Sequence, residues 1–152
     1  LGVNVKVILE NNYSTPWSQQ HELDLSRHGR KRLQRLKGEA DQDQNGVVSP
    51  EEERKSDALL ILQNGQIAWI DDTEDGSKGS GLMHHKFVVI DGERVITGSA
   101  NFTNSGIHGD AGATQTRGNV NHLINIQSPA LASIFKEEFA QMWGDGPVTA
   151  RT

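Results

Sequence analysis

A chain of 152 residues with 34% hydrophobic content can bury one modest core, and a formal net charge of −5 excludes a protein that is basic all over. The absence of cysteine excludes disulfide staples and thiolate metal sites. No apolar run reaches membrane-spanning length.

The chain starts at Leu1 inside a segment that already alternates, so its start reads as a cut. Val3, Val5, Val7 and Leu9 recur with period two, predicting a strand over Val3 to Leu9. After the turn-prone stretch from Asn11 to Gln20, a helix is predicted from about Leu23 to Ala40, carrying Arg27, Arg30, Lys31, Arg32, Arg35 and Lys37. Such a charge run is ordinarily a solvated helix face; the alternative is a contact with nucleic-acid phosphates or anionic lipid headgroups.

The segment Asp41-Gln42-Asp43-Gln44-Asn45-Gly46-Val47-Val48-Ser49-Pro50-Glu51-Glu52 fits D-x-[DN]-x-[DN]-G-x5-E, the EF-hand calcium loop. In that pattern Asp41, Asp43 and Asn45 give side-chain oxygens, Val47 its carbonyl, Ser49 a hydroxyl or water bridge, and Glu52 two oxygens. Gly46 permits the sharp turn. The bland alternative is an acidic turn that caps a helix, since Ser49, Pro50 and Glu52 also spell a capping box. That helix is predicted to run through Ala58, Leu59, Leu60 and Leu62 and to stop near Gly65. Calcium here would be structural or regulatory, and a weak site would be filled best outside the cytoplasm.

Ile67 to Ile70 reads as a short strand, and Asp71 to Gly81 as an acidic, Gly/Ser-rich loop. His85 to Ile90 and Arg94 to Thr97 flank Asp91-Gly92, a two-residue hairpin signal. Val120 to Ile126 is a further strand. Ser128-Pro129 caps a helix with Leu131, Ile134, Phe135, Phe139 and Met142 at helical spacing. Strands interleaved with helices indicate an α/β domain with a mixed sheet flanked by helices.

The chemistry concentrates at the hairpin. By strand alternation His84 and Lys86 project to one side, while Asp91, at odd separation, projects to the other; Ser99 and Asn101 share parity after the return strand. An imidazole, an ammonium, a hydroxyl and a carboxamide near one point can receive a phosphoryl group. Each residue alone has an ordinary structural explanation; the set in a strand, turn, strand context does not. His85 faces away from His84 and is structural by this reasoning.

His84, Lys86, Asp91, Gly98, Ser99 and Asn101 complete the pattern H-x-K-x4-D-x6-G-S-x-N, which resembles the signature of the phospholipase D superfamily, in its compact endonuclease-like branch. The resemblance implies a phospholipase D-like fold and hydrolysis of a phosphodiester, in phospholipid or nucleic acid, through a covalent phosphohistidine. It implies His84 as nucleophile, Lys86 and Asn101 as binders of non-bridging oxygens, Ser99 as a supporting hydrogen-bonder and Asp91 as structural, with no cofactor required for catalysis. One histidine cannot be nucleophile and proton donor at once. A second half is therefore expected, from a homodimer partner or from further sequence of the same chain.

The family usually places an acidic residue where this chain has Asn121, which an amide oxygen replaces only in part as an imidazole partner. Asp110, in a long loop from Gly106 to Arg117, is the other candidate for that acid. The expectation is one phospholipase D-like domain over residues 1–152, its start missing, with an EF-hand-like helix-loop-helix insertion over 23–64. The rival reading is a non-catalytic, calcium-responsive module that binds phosphate esters.

Overall fold

The computed structural model describes residues 2–73, 83–107 and 119–147. Two compact units are present, one holding residues up to 82 with those from Asp145 onward, the other Met83–Gly144. Parallel and antiparallel sheets flanked by helices give the mixed α/β class expected, the two kinds of pairing being divided between two sheets.

In the first unit, β1 (Lys6–Leu9) pairs in parallel with β2 (Ala68–Asp71), with Val7 opposite Trp69 and Ile8 opposite Ile70. The ladder is shorter than the alternation suggested, because Val3 and Val5 stay exposed and gain nothing from a fixed register. Parallel strands need a long crossover. Here it holds α1 (Arg27–Ala40), α2 (Pro50–Ser56) and α3 (Ala58–Asn64). The predicted start of α1 at Leu23 moves to Arg27, since the Ser26 hydroxyl accepts the Gly29 N–H at 3.1 Å and so sets the N-cap; Glu22–Asp24 forms a separate 3-10 turn. Leu33 and Ala40 of α1 bury themselves with Trp17, and Leu25, Leu36 and Val48 pack around them.

The single helix expected from Ser49 to Gly65 is broken at Asp57. This residue is extended, and its carboxylate accepts Leu59 N–H at 3.0 Å, capping α3, while its other oxygen accepts the Ser18 N–H and hydroxyl at 3.3 Å each. Asp57 is buried. A buried carboxylate needs its partners, so the tertiary contact with Ser18 overrides helix continuity.

In the second unit, β3 (Phe87–Ile90), β4 (Arg94–Gly98) and β5 (Leu123–Gln127) form an antiparallel sheet in that order. Val95, with no exposed surface, sits at its centre opposite Val89 and Ile126. α5 (Pro129–Trp143) starts at Ser128, whose hydroxyl accepts Leu131 N–H, and covers that face with Ala132 fully buried and Phe135 edge-on to Phe87 at 5.0 Å. The β3–β4 turn differs from the expected two-residue loop. Asp91 and Gly92 both have positive φ, as a primed turn requires, and Glu93 N–H donates to Ile90, but Ile90 pairs with Arg94 and Glu93 is left as an extra residue. The Glu93 carbonyl accepts Ser128 N–H at 2.8 Å, tying the turn to the start of α5.

Replacing Asp57 by Ala removes a cap and leaves Ser18 and Leu59 donors unpaired, so urea unfolding should show a loss of about 1–3 kcal/mol. Ser18→Ala, which leaves the cap, should cost less. Equal losses would mean that the cap contributes nothing.

Candidate functional site

β3 begins at Phe87 and β4 ends at Gly98, adjacent ends of an antiparallel pair, and Gly98 pairs with Leu123, where β5 starts. His84 and Lys86, Ser99 and Asn101, and Asn121 therefore all lie at one end of the three-stranded sheet. Asp91 lies at the other, separated by a four-residue strand of about 3.3 Å per residue. Alternation does not reach Asp91, which is an exposed turn residue with φ 53°.

His84 and Lys86 sit on the approach to β3. The Lys86 ammonium donates to the His84 carbonyl at 2.8 Å, and the Lys86 carbonyl accepts the Thr97 hydroxyl at 2.9 Å, so the segment is tied to β4 beyond its last ladder pair. His85 takes the other side: its Nε2 lies 3.4 Å from Glu138 Oε1 on α5 and its ring stands edge-on to Phe87 at 6.0 Å.

Across the sheet end, burial alternates through exposed Ser99, buried Ala100 and exposed Asn101. Ser99 N–H donates to the His122 carbonyl at 3.1 Å, and its hydroxyl accepts His122 N–H at 3.1 Å while donating to Asn121 Oδ1 at 3.0 Å. Asn121 Nδ2 donates to the Gly106 carbonyl at 3.0 Å. That carbonyl can only accept, so the amide group must face it and the amide oxygen must face Ser99. Two glycines make the closeness possible. A Cβ on Gly98 would stand 2.2 Å from the His122 carbonyl oxygen, and one on Gly106 would stand 2.2 Å from that of Asn101.

His122 was not singled out from the sequence, and only its adjacency to Asn121 pointed there; its backbone now proves to be the clamp on Ser99. Asp110 and the segment 108–118 lie outside the described residues, as does most of the acidic loop before the histidines.

A second cluster lies in the first unit. Asp41, Asp43 and Glu52 each offer a carboxylate oxygen within 4.8 Å of the others. Asn45 N–H donates to Asp41 and Asp43 at 3.1 Å, and Gly46 N–H, at φ 84°, donates to Asp41 at 2.9 Å. The Asn45 amide oxygen accepts Val47 N–H at 2.8 Å. Carboxylate and amide oxygens suit a hard cation such as calcium.

Glu52 is 8% exposed and closes the capping box, with Oε2 accepting both the N–H and the hydroxyl of Ser49 at 2.8 Å. Oε1 accepts Gln42 N–H at 2.8 Å and Asp43 N–H at 3.4 Å. These bonds, the Ser49 N–H foremost, hold its carboxyl down from 4.5 to about 2.

A family described as cardiolipin synthase, PLD-like domain, matches residues 1–143. The mitochondrial cardiolipin hydrolase of Xenopus tropicalis is 36% identical over 66 residues, 43% of this chain and 27% of that protein. That of Danio rerio is 34% identical over 61 residues, 40% of this chain and 23% of that protein. The aligned part thus spans about a quarter of the length of these relatives. No solved structure matches the chain.

Two outcomes follow from these geometries. Asn121→Asp supplies the acid usual in the family but sets an acceptor against the Gly106 carbonyl, so it should lower the unfolding free energy by about 1 kcal/mol or more; a variant as stable as the parent would mean that the Asn121–Gly106 bond contributes nothing. Because the Glu52 carboxyl titrates lower folded than unfolded, it contributes stability in full above its ordinary value of 4.5 and loses it as pH falls toward about 2. Melting curves across that window should fall more steeply for the parent than for Glu52→Gln.

Proposed function

The chain belongs to the PLD-like family, and from that premise we propose that it is a phosphodiesterase that cleaves phospholipid through a histidine nucleophile. The observation that carries this reading is the gathering of His84, Lys86, Ser99 and Asn101 at one end of one sheet. The relatives' name, cardiolipin hydrolase, favours phospholipid over nucleic acid. We read residues 1–152 as one domain with 23–64 inserted; the family match covers residues 1–143.

In this mechanism a neutral His84 attacks phosphorus. A nitrogen–phosphorus bond forms as the bond to the leaving alcohol breaks, and the alcohol takes its proton from a second histidine. Lys86 and Asn101 hold the non-bridging oxygens as charge builds on them. Water then attacks, gives its proton back to the second histidine, and frees His84. A second copy of this chain, or further sequence, supplies that histidine. Ser99 keeps the Asn101 turn in place through His122 and Asn121. Asp91 contributes the hairpin turn.

One observation favours the rival, a module that binds phosphate esters without turnover. Asn121 stands where the acid is expected, and Ser99 and Gly106 already take one lone pair of its oxygen and one of its N–H groups, so what is left to meet an imidazolium is a single neutral acceptor position in place of a carboxylate. Turnover with labelled phospholipid, and single-stranded DNA as the competing substrate, separates these readings. The parent should hydrolyse phospholipid and trap an acid-labile phosphoprotein, and His84→Ala should lose about a thousandfold or more. Wild-type turnover by His84→Ala sinks the assignment. Binding without turnover favours the module.

We also read Asp41, Asp43, Asn45, Val47, Ser49 and Glu52 as a calcium loop that stabilises the insertion. Both Glu52 oxygens already accept hydrogen bonds, so bidentate coordination exchanges part of the capping box for the ion. Millimolar calcium should raise the melting temperature of the parent but not of Asp41→Ala with Glu52→Ala. Asp41→Asn with Asp43→Asn, which keeps the cap, should also lose the shift; a shift that survives in both rejects the site.

A further inference from the structure

The cations of α1 are not equivalent. Arg35 lies 3.7 Å from Glu39 and Lys37 lies 3.2 Å from Glu22, so these two are neutralised. Arg30 donates to the Leu25 carbonyl at 2.7 Å, and Arg32 lies over the Tyr13 ring at 4.7 Å; both contacts fix the side chain and leave its charge. Among the described residues no carboxylate pairs with Arg27 or Lys31. These two are one turn apart, and Leu33, Leu36 and Ala40 face the Trp17 core on the opposite side. The outer face of α1 is thus cationic on a chain of net charge −5.

The same two contacts lay the Glu22–Asp24 turn along the edge of this face, one through Glu22 to Lys37 and the other through the Leu25 carbonyl to Arg30. Leu25 turns inward to the core, and Leu23 is 95% exposed. A fully exposed leucine on a turn tied to Arg30, whose charge is left, suits a surface with anionic headgroups over an apolar interior. A nucleic acid would use the cations and leave Leu23 without a partner.

We propose that the outer face of α1, with Leu23 at its rim, is a docking surface for an anionic phospholipid bilayer. It rests on the preceding reading only in that a phospholipid substrate is presented by such a surface; the contact itself needs no turnover.

The test is flotation of the full chain carrying His84→Ala with vesicles of phosphatidylcholine alone or with about one third phosphatidylglycerol. The chain should bind the anionic vesicles, and binding should fall steeply as salt rises. Arg27→Glu with Lys31→Glu should weaken it about tenfold or more. Leu23→Ser should weaken it at every salt concentration, and circular dichroism of both variants should match the parent. Equal binding to neutral vesicles, or no loss on charge reversal, overturns the proposal. So does tighter binding of single-stranded DNA that Leu23→Ser leaves unchanged. Docking without hydrolysis by the parent retires the enzymatic reading and keeps this one; hydrolysis without docking does the reverse.

Discussion

The approach of β4 to the residues entering β5 is the contact on which the candidate site depends. Gly98 admits the His122 carbonyl to a distance no side chain would allow, and Ser99 is then bound by both its backbone N–H and its hydroxyl. Asn101 follows two residues later and inherits that position. Gly106 repeats the device against Asn101, and Asn121 joins the two close approaches through one amide. The polar groups at this sheet end are held by backbone contacts from three segments, an arrangement that lowers the cost of organising them around a charged ligand.

Two carboxylates organise the first unit. Asp57 ends one helix and starts the next while holding Ser18, and Glu52 closes a capping box while gathering the turn from Gln42 to Asp43. Glu52 therefore has two possible partners in conflict, the helix N-terminus and a cation. That competition sets any calcium response here apart from that of a preformed site, because the ion must replace hydrogen bonds that already satisfy the carboxylate. Charge is also segregated in this unit, with carboxylates gathered at the loop and cations on the outer side of α1. A global charge of −5 conceals this division.

Local patterns were legible in the sequence wherever a few adjacent residues carry the physics. Ser49-Pro50-Glu52 and Ser128-Pro129 spell helix starts, Asp91-Gly92 spells a primed turn, and the helical spacing from Leu131 to Met142 spells α5. The residue types of the candidate site and its assignment to a strand, turn, strand frame were equally readable, because those groups recur at short spacing along one hairpin. The break at Asp57 was not readable, since its cause is Ser18, thirty-nine positions away. Nor was the extra residue at Glu93, which the carbonyl contact to Ser128 accompanies.

By itself the sequence determined the family, the α/β class and the identity of the polar groups, all of which are properties of short segments or of composition. Tertiary structure decided which of those groups meet. It turned His85 to Glu138 and joined Asn121 to Ser99 and Gly106. It also paired Arg35 and Lys37 of α1 with Glu39 and Glu22. Those outcomes depend on register, close approach and partners distant in the chain, and no local pattern of residues encodes them.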